Sequence, residues 1–322
     1  MKTESQKYIY NKSVDLWFIR FPILFPIIYT SLLYIFPNYE NYLIIATIIL
    51  LAEPHFGATW SIFFNKSNYQ YYNRRPNIFF VGSFAVMFFS VLGFFYFQNL
   101  FFLVFYGFNI YHVTMQSIGV CKLYNKKTEE IQYQTSFIFI SNILFFFFGL
   151  FRFYIPIINN QNIFLLSSFT IILILIIFIY QLYKYRSLSN SLTTLTGSII
   201  FLPILFVDKP IHAILLGVTM HYSQYIFISS KVYFGRNNNL SLFKDLKFTK
   251  LLKSKLFAYL AIYGLVMGFF TSFNQIGNEI TKNLILIPLI GQMLHFYLDG
   301  YLWKFSEPHN REQTLKYLFK EA

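Results

Sequence analysis

Long apolar runs, broken by short polar clusters, dominate this chain from end to end. A bilayer core about 30 Å thick needs roughly 20 apolar residues in a helix rising 1.5 Å per residue. Ten runs approach that length, near 20–37, 40–64, 77–97, 99–121, 133–152, 163–183, 193–208, 210–230, 255–273 and 282–304. The pattern predicts an all-α polytopic bundle of about ten transmembrane helices, a single transmembrane domain over residues 1–322. The run 193–208 is the shortest; it opens on polar residues, contains Pro203, and only Asp208-Lys209-Pro210 separates it from the next. The polar start MKTESQKYIYNKSVDLW and the length of the first apolar run argue against a cleavable signal peptide, so 1–19 reads as a retained cytoplasmic segment.

Composition agrees with lipid as the solvent: 56% of residues are hydrophobic, 22% aromatic and only 12% charged. The net charge of +13 would fit a nucleic-acid partner, but the placement of the basic residues assigns it to topology instead, with no nucleic acid implied. With the N-terminus inside, 23 of the 26 Lys and Arg fall in cytoplasmic segments; Arg152, Lys209 and Lys282 do not. Both termini are therefore expected in the cytoplasm of a multi-pass inner-membrane protein, with 305–322 as a cytoplasmic tail. Trp17, Trp60 and Trp303 lie near cytoplasmic ends, at headgroup level. The basic segment 231–255 reads as a cytoplasmic loop whose interleaved Leu and Phe suit either an interfacial amphipathic helix or a solvated loop.

The single cysteine, Cys121, leaves no intramolecular disulfide and no thiolate cluster, so any redox metal would depend on histidine. Of six histidines, His55, His112, His221 and His295 lie inside expected spans, where ionisable residues are costly and mark function. All four sit on even-numbered helices, each roughly nine residues, or roughly 14 Å, before the cytoplasmic end. Four imidazoles in one layer would satisfy their lone pairs on a single metal ion, whereas a lone histidine is more often a core residue bonded to a neighbouring helix. Glu53 and Asp299 are the acidic residues deep in the spans, each readable as a ligand, a base behind the ligands, or a local charge partner. Gln292 and Asp299 flank His295 at helical spacing, Gln116 follows His112 by four and Tyr225 follows His221 by four. His212, near the start of its helix, stays outside the set, and His309 in the tail reads as solvated.

The elements Pro54-His55-Phe56-Gly57-Ala58, Tyr111-His112 and His221-Tyr222-Ser223-Gln224-Tyr225 resemble the histidine motifs of the Brp/Blh family of bacterial and archaeal β-carotene dioxygenases. The resemblance spans helices two to eight. It implies a membrane-embedded non-haem Fe(II) centre with His55, His112 and His221 as ligands, and O2-dependent cleavage of a carotenoid such as β-carotene to retinal. The closing histidine of the family's third motif is Tyr225 here, so a fourth imidazole would come from His295, and Tyr225, Asp299 and Glu53 become the candidate catalytic residues. The implied partners are an apolar polyene, O2 and membrane lipid. Two other readings stand beside it: a metal-ion or proton transporter using the same histidines and acids as a relay, and an oxygenase acting on another apolar lipid. A di-iron desaturase is disfavoured because no two histidines are three or four residues apart.

The charge pattern makes a direct prediction. A cysteine placed in 231–255 should resist a membrane-impermeant thiol reagent added to intact cells; strong labelling would invert the assigned topology.

Overall fold

The computed structural model describes residues 8–125, 128–155, 160–185, 187–238, 246–276 and 279–319. Among these residues the fold is helical and contains no strand. In chain order the principal elements are α1 (Lys12–Arg20), α2 (Leu24–Ile35), α3 (Pro37–Phe63), α4 (Asn77–Tyr96), α5 (Gln98–Tyr124) and α6 (Glu129–Tyr154). They continue with α7 (Asn160–Tyr185), α8 (Leu188–Ile199), α9 (Pro210–Asn238), α10 (Leu246–Ile276), α11 (Asn283–Leu302) and the short α12 (Pro308–Gln313).

Seven described helices are long and apolar enough to cross a membrane, or eight if the bent pair α1 and α2 counts as one span. That is the make-up of a multi-pass membrane protein, and its helices carry large exposed apolar side chains such as Phe84, Phe89, Ile176 and Ile179. Even with α1 and α2 counted as one span, two of the ten expected spans are not among them. Helix α5 has the length, at 27 residues, but Asn109, His112, Thr114, Gln116 and Ser117 dilute its apolar character. The run 193–208 divides into α8, only 12 residues long, and a single 3-10 turn at Leu202–Leu205. At 1.5 Å per residue α8 covers roughly 18 Å, short of a bilayer core. The basic segment 231–255 is helical at both ends, α9 running to Asn238 and α10 starting at Leu246, while 239–245 lies outside the described residues, as do the side chains of 237–254.

The chain divides into two compact units, Met1–Ile44 with Ile110–Gln224, and Ile45–Asn109 with Tyr225–Ala322. In the first, the break between α1 and α2 organises the packing. Pro22 has no N–H for the Phe18 carbonyl four residues earlier. The last turn of α1 widens, Phe21 N–H reaching Leu16 O at 2.8 Å, and α2 departs at 54°. The carbonyls freed there must find donors in an apolar interior, and side chains supply them. Ser223 Oγ donates to Phe18 O at 3.0 Å, Gln224 Nε2 to Ile19 O at 2.6 Å, and Thr196 Oγ1 to Arg20 O at 2.8 Å. Thr196 belongs to α8, whose buried Ser191, Thr193, Thr194 and Ser198 make it polar where a spanning helix would be apolar. Helix α8 packs on α6, where Asn142 Nδ2 donates to Gly197 O at 2.9 Å. Arg20 lies 3.8 Å from the centre of the Tyr124 ring, and Tyr124 donates to the buried Asp15 at 2.8 Å.

In the second unit α10 lies along α3, and α11 along α4. Glycines set how closely these helices approach, as small residues do where lipid offers no hydrophobic drive to association. A Cβ on Gly264 would collide with the backbone oxygen of Ile49, and one on Gly57 would press on the Tyr263 ring. The closeness lets Tyr259 Oη reach Gly57 O at 3.2 Å and Trp60 Nε1 reach Tyr263 Oη at 3.1 Å. Gly264→Ala should therefore destabilise the protein by about 1–3 kcal/mol, the usual cost of overpacking. Thermal melting in detergent reads this, and an unchanged transition would mean α10 is not seated on α3 through this glycine.

Candidate functional site

All four span histidines are buried: His55, His112, His221 and His295 are 1%, 6%, 1% and 0% exposed. They sit on α3, α5, α9 and α11 as the sequence predicts. The equal distance to helix ends does not hold, because the helices run past the span limits by different amounts. His55 precedes Phe63 by eight residues and His295 precedes Leu302 by seven, whereas His112 precedes Tyr124 by 12 and His221 precedes Asn238 by 17.

Ring packing is more informative. In the first unit His112 and His221 meet edge to face, ring centres 5.6 Å apart. The residues after His221 anchor that stretch of α9, since Ser223 and Gln224 hold the carbonyls of the α1 break. In the second unit His55 and His295 meet edge to face at 4.5 Å. Phe56 lies 4.7 Å from His55 and 5.0 Å from His295, and Phe296 packs on Phe56, so the second pair is walled by aromatic rings.

A hydrogen-bond network backs the second pair. Thr59 Oγ1 lies 2.6 Å from His295 Nδ1 and donates to Asp299 Oδ1 at 3.1 Å. Tyr225 Oη donates to the same carboxylate oxygen at 2.9 Å and accepts from Trp303 Nε1 at 3.2 Å. The Tyr225 ring packs against His55, centres 4.6 Å apart. Asp299 is thus close to His295 but not bonded to it, at 3.8 Å from Nδ1. Glu53 is fully buried in the same unit, with Oε1 accepting from Gln292 Nε2 at 3.1 Å and no hydrogen bond to Oε2 among the described residues.

No family model, no curated protein and no solved structure matches this chain. The residues themselves carry the site. The buried histidines and Asp299 are donor groups that could hold a metal ion. Imidazole nitrogen with a carboxylate nearby suits iron, copper or zinc, and the one thiol is committed elsewhere, Cys121 bonding Gln134 at 3.4 Å.

Two histidines outside the set have structural partners. His212 is buried at the start of α9, with Nδ1 2.6 Å from Tyr29 Oη and Nε2 3.4 Å from Glu40. His309, expected to be solvated, instead stacks on Tyr71 with ring centres 4.2 Å apart and bonds Asn68 through Nε2 at 2.8 Å. Its partial burial holds the imidazole below its ordinary range. The short α12, which begins at Pro308, brings the tail back onto the second unit, a fold-back that the polar stretch 305–322 does not announce in sequence. Thr59 is the network member that sequence reading passed over. It follows His55 by four residues, the spacing that relates Gln116 to His112, Tyr225 to His221 and Asp299 to His295.

Proposed function

We propose that this chain is a membrane-embedded non-haem iron oxygenase, with His55, His112, His221 and His295 holding one Fe(II), and that its reaction is O2-dependent cleavage of a carotenoid such as β-carotene to retinal. The single observation that carries the metal reading is the burial of all four imidazoles, each packed against another within its own unit. Unprotonated imidazole in a dry, apolar surround is the state a metal requires of its ligands, and few other roles recruit four such groups in one lipid-embedded chain. The oxygenase and carotenoid steps rest on the three histidine motifs. Both termini in the cytoplasm of a multi-pass inner-membrane protein is the topology that the charge distribution supports.

The chemistry Fe(II) supplies in such a setting is activation of O2. The chain's own contribution is orientation and exclusion of water. Phe56 and Phe296 close the imidazole pair of α3 and α11 from one side, and Tyr225 closes it from another. Asp299 collects hydrogen bonds from Thr59 and Tyr225, which keeps a charged group satisfied where water is absent. Tyr225, where the family motif closes on histidine, offers a phenol already committed to this network. Glu53 is the observation that favours the second reading, a metal-ion or proton transporter, because a buried carboxylate with a free oxygen is a natural proton carrier. An apolar lipid other than a carotenoid is the third.

Expression in a β-carotene-producing bacterium tests the proposal, paired with metal analysis of the detergent-purified protein. The expected outcome is bleaching of the orange colour, retinal among the extracted lipids and one iron per chain. Iron with unchanged carotene would exclude β-carotene and leave another lipid oxygenation, while absence of any metal would favour the transporter.

A further inference from the structure

In the first unit α5 and α6 run against each other along faces that repeat every four residues: Ser117, Cys121 and Asn125 on one, Gln134, Ile138 and Asn142 on the other. Asn125 stands opposite Gln134, with its Nδ2 donating to Gln134 Oε1 at 2.6 Å. Cys121 packs on Ile138, donates to the same Gln134 oxygen at 3.4 Å, and lies 3.8 Å from Thr194 Oγ1 of α8. Farther along the same faces Asn142 Nδ2 donates to Gly197 O of α8 at 2.9 Å. A Cβ on Gly197 would stand 3.0 Å from Ser117 Cβ, so Ser117 and Asn142 meet α8 at the same residue.

A carboxamide has a donor end and an acceptor end, and each of these three amides spends only one. Among the described residues Asn125 Oδ1, Gln134 Nε2, Asn142 Oδ1 and Ser117 Oγ have no hydrogen-bond partner. Yet these residues are only 6%, 0%, 0% and 2% exposed. Turning the amides over does not remove the remainder. Exchanging oxygen and nitrogen in Asn125 or Gln134 alone would set like ends 2.6 Å apart, and exchanging both would cost the bond from Asn125 Nδ2 to Cys121 O at 3.0 Å. What is left is two acceptors, one donor, and a hydroxyl that serves as either. Buried polar groups left over by the protein are met by ordered water, which needs two to four such partners and little room. The side chains around them, Cys121, Thr194 and the bare Gly197, are small.

We propose that the interface of α5, α6 and α8 is a water-binding site, with Gln134 Nε2 donating to bound water, Asn125 Oδ1 and Asn142 Oδ1 accepting from it and Ser117 Oγ doing either, so that Cys121 sits in a hydrated core. The inference is independent of the metal reading. It gives the short, polar α8 a second task beside the α1 break, since its Thr194 and Gly197 border the wet seam. Asn125 lies one residue past Tyr124, the end of α5, and Cys121 one turn earlier, so the path from bulk water to the amide pair is short.

The single cysteine makes the test direct, because the thiol S–H stretch absorbs clear of other protein bands and can come only from Cys121. The full chain in detergent is moved from H2O to D2O buffer, and infrared spectra follow the S–H band beside the amide band of the protected helix cores. The expected result is loss of the S–H stretch and its shift to the S–D position while core amides still hold hydrogen. An S–H band that persists as long as the core amides means a dry interface and overturns the proposal. The double variant Asn125→Leu with Gln134→Met keeps the shape and removes the amide pair; its S–H exchange should slow to the rate of the core amides. A folded double variant that exchanges as fast as the parent overturns the assignment of water to this pair, and if the variant does not fold, the comparison of thiol with amides in the parent still decides.

Discussion

Inside hydrocarbon no water completes a hydrogen bond, and each polar group left alone costs several kcal/mol. That constraint explains much of the interior of this protein. The proline at position 22 frees backbone carbonyls at Phe18, Ile19 and Arg20, and three side chains from distant parts of the sequence come to cap them. Helix α8 is short and rich in threonine and serine because it serves that break and the neighbouring α6 rather than facing lipid. Each side chain recruited to a carbonyl fixes the helix that bears it. Ser223 and Gln224, committed to the α1 break, set the rotation of α9 at His221, one turn away.

The same constraint shapes the histidine-bearing network of the second unit. Asp299 is tolerable at 3% exposure because Thr59 and Tyr225 both donate to it, and Tyr225 is held in turn by Trp303. The network has the logic of a support for His295, since Thr59 Oγ1 lies 2.6 Å from its Nδ1 and also bonds Asp299. On the imidazole side Phe56 packs against both rings.

Much of this was legible in sequence. Helical class and the positions of the apolar helices follow from run length, because lipid demands a fixed span. Burial of His55, His112, His221 and His295 follows from their place in those runs. The limits are equally physical. A run can be long enough to cross and still be a helix diluted by polar residues, as in α5, or can break into pieces that pack inside, as in α8. The common spacing of the histidines to the ends of the apolar runs does not carry over to helix ends, because helices such as α9 continue beyond the run, to Asn238. Thr59 stayed hidden because its partners are on α9 and α11, more than 160 residues away, and nothing local marks a threonine as bridging rather than bonding its own helix. Asp299 was found, but its link to His295 through a third residue depends on side-chain placement that spacing alone does not carry.

X-ray absorption at the metal K-edge of the protein as purified tests the central claim most directly, since it counts the imidazoles around an ion without depending on substrate. The account predicts one iron in a nitrogen-rich shell with strong imidazole scattering, losing one imidazole in His295→Ala and none in His309→Ala. A shell of oxygen ligands without imidazole, or an imidazole count unchanged in His295→Ala, would contradict it.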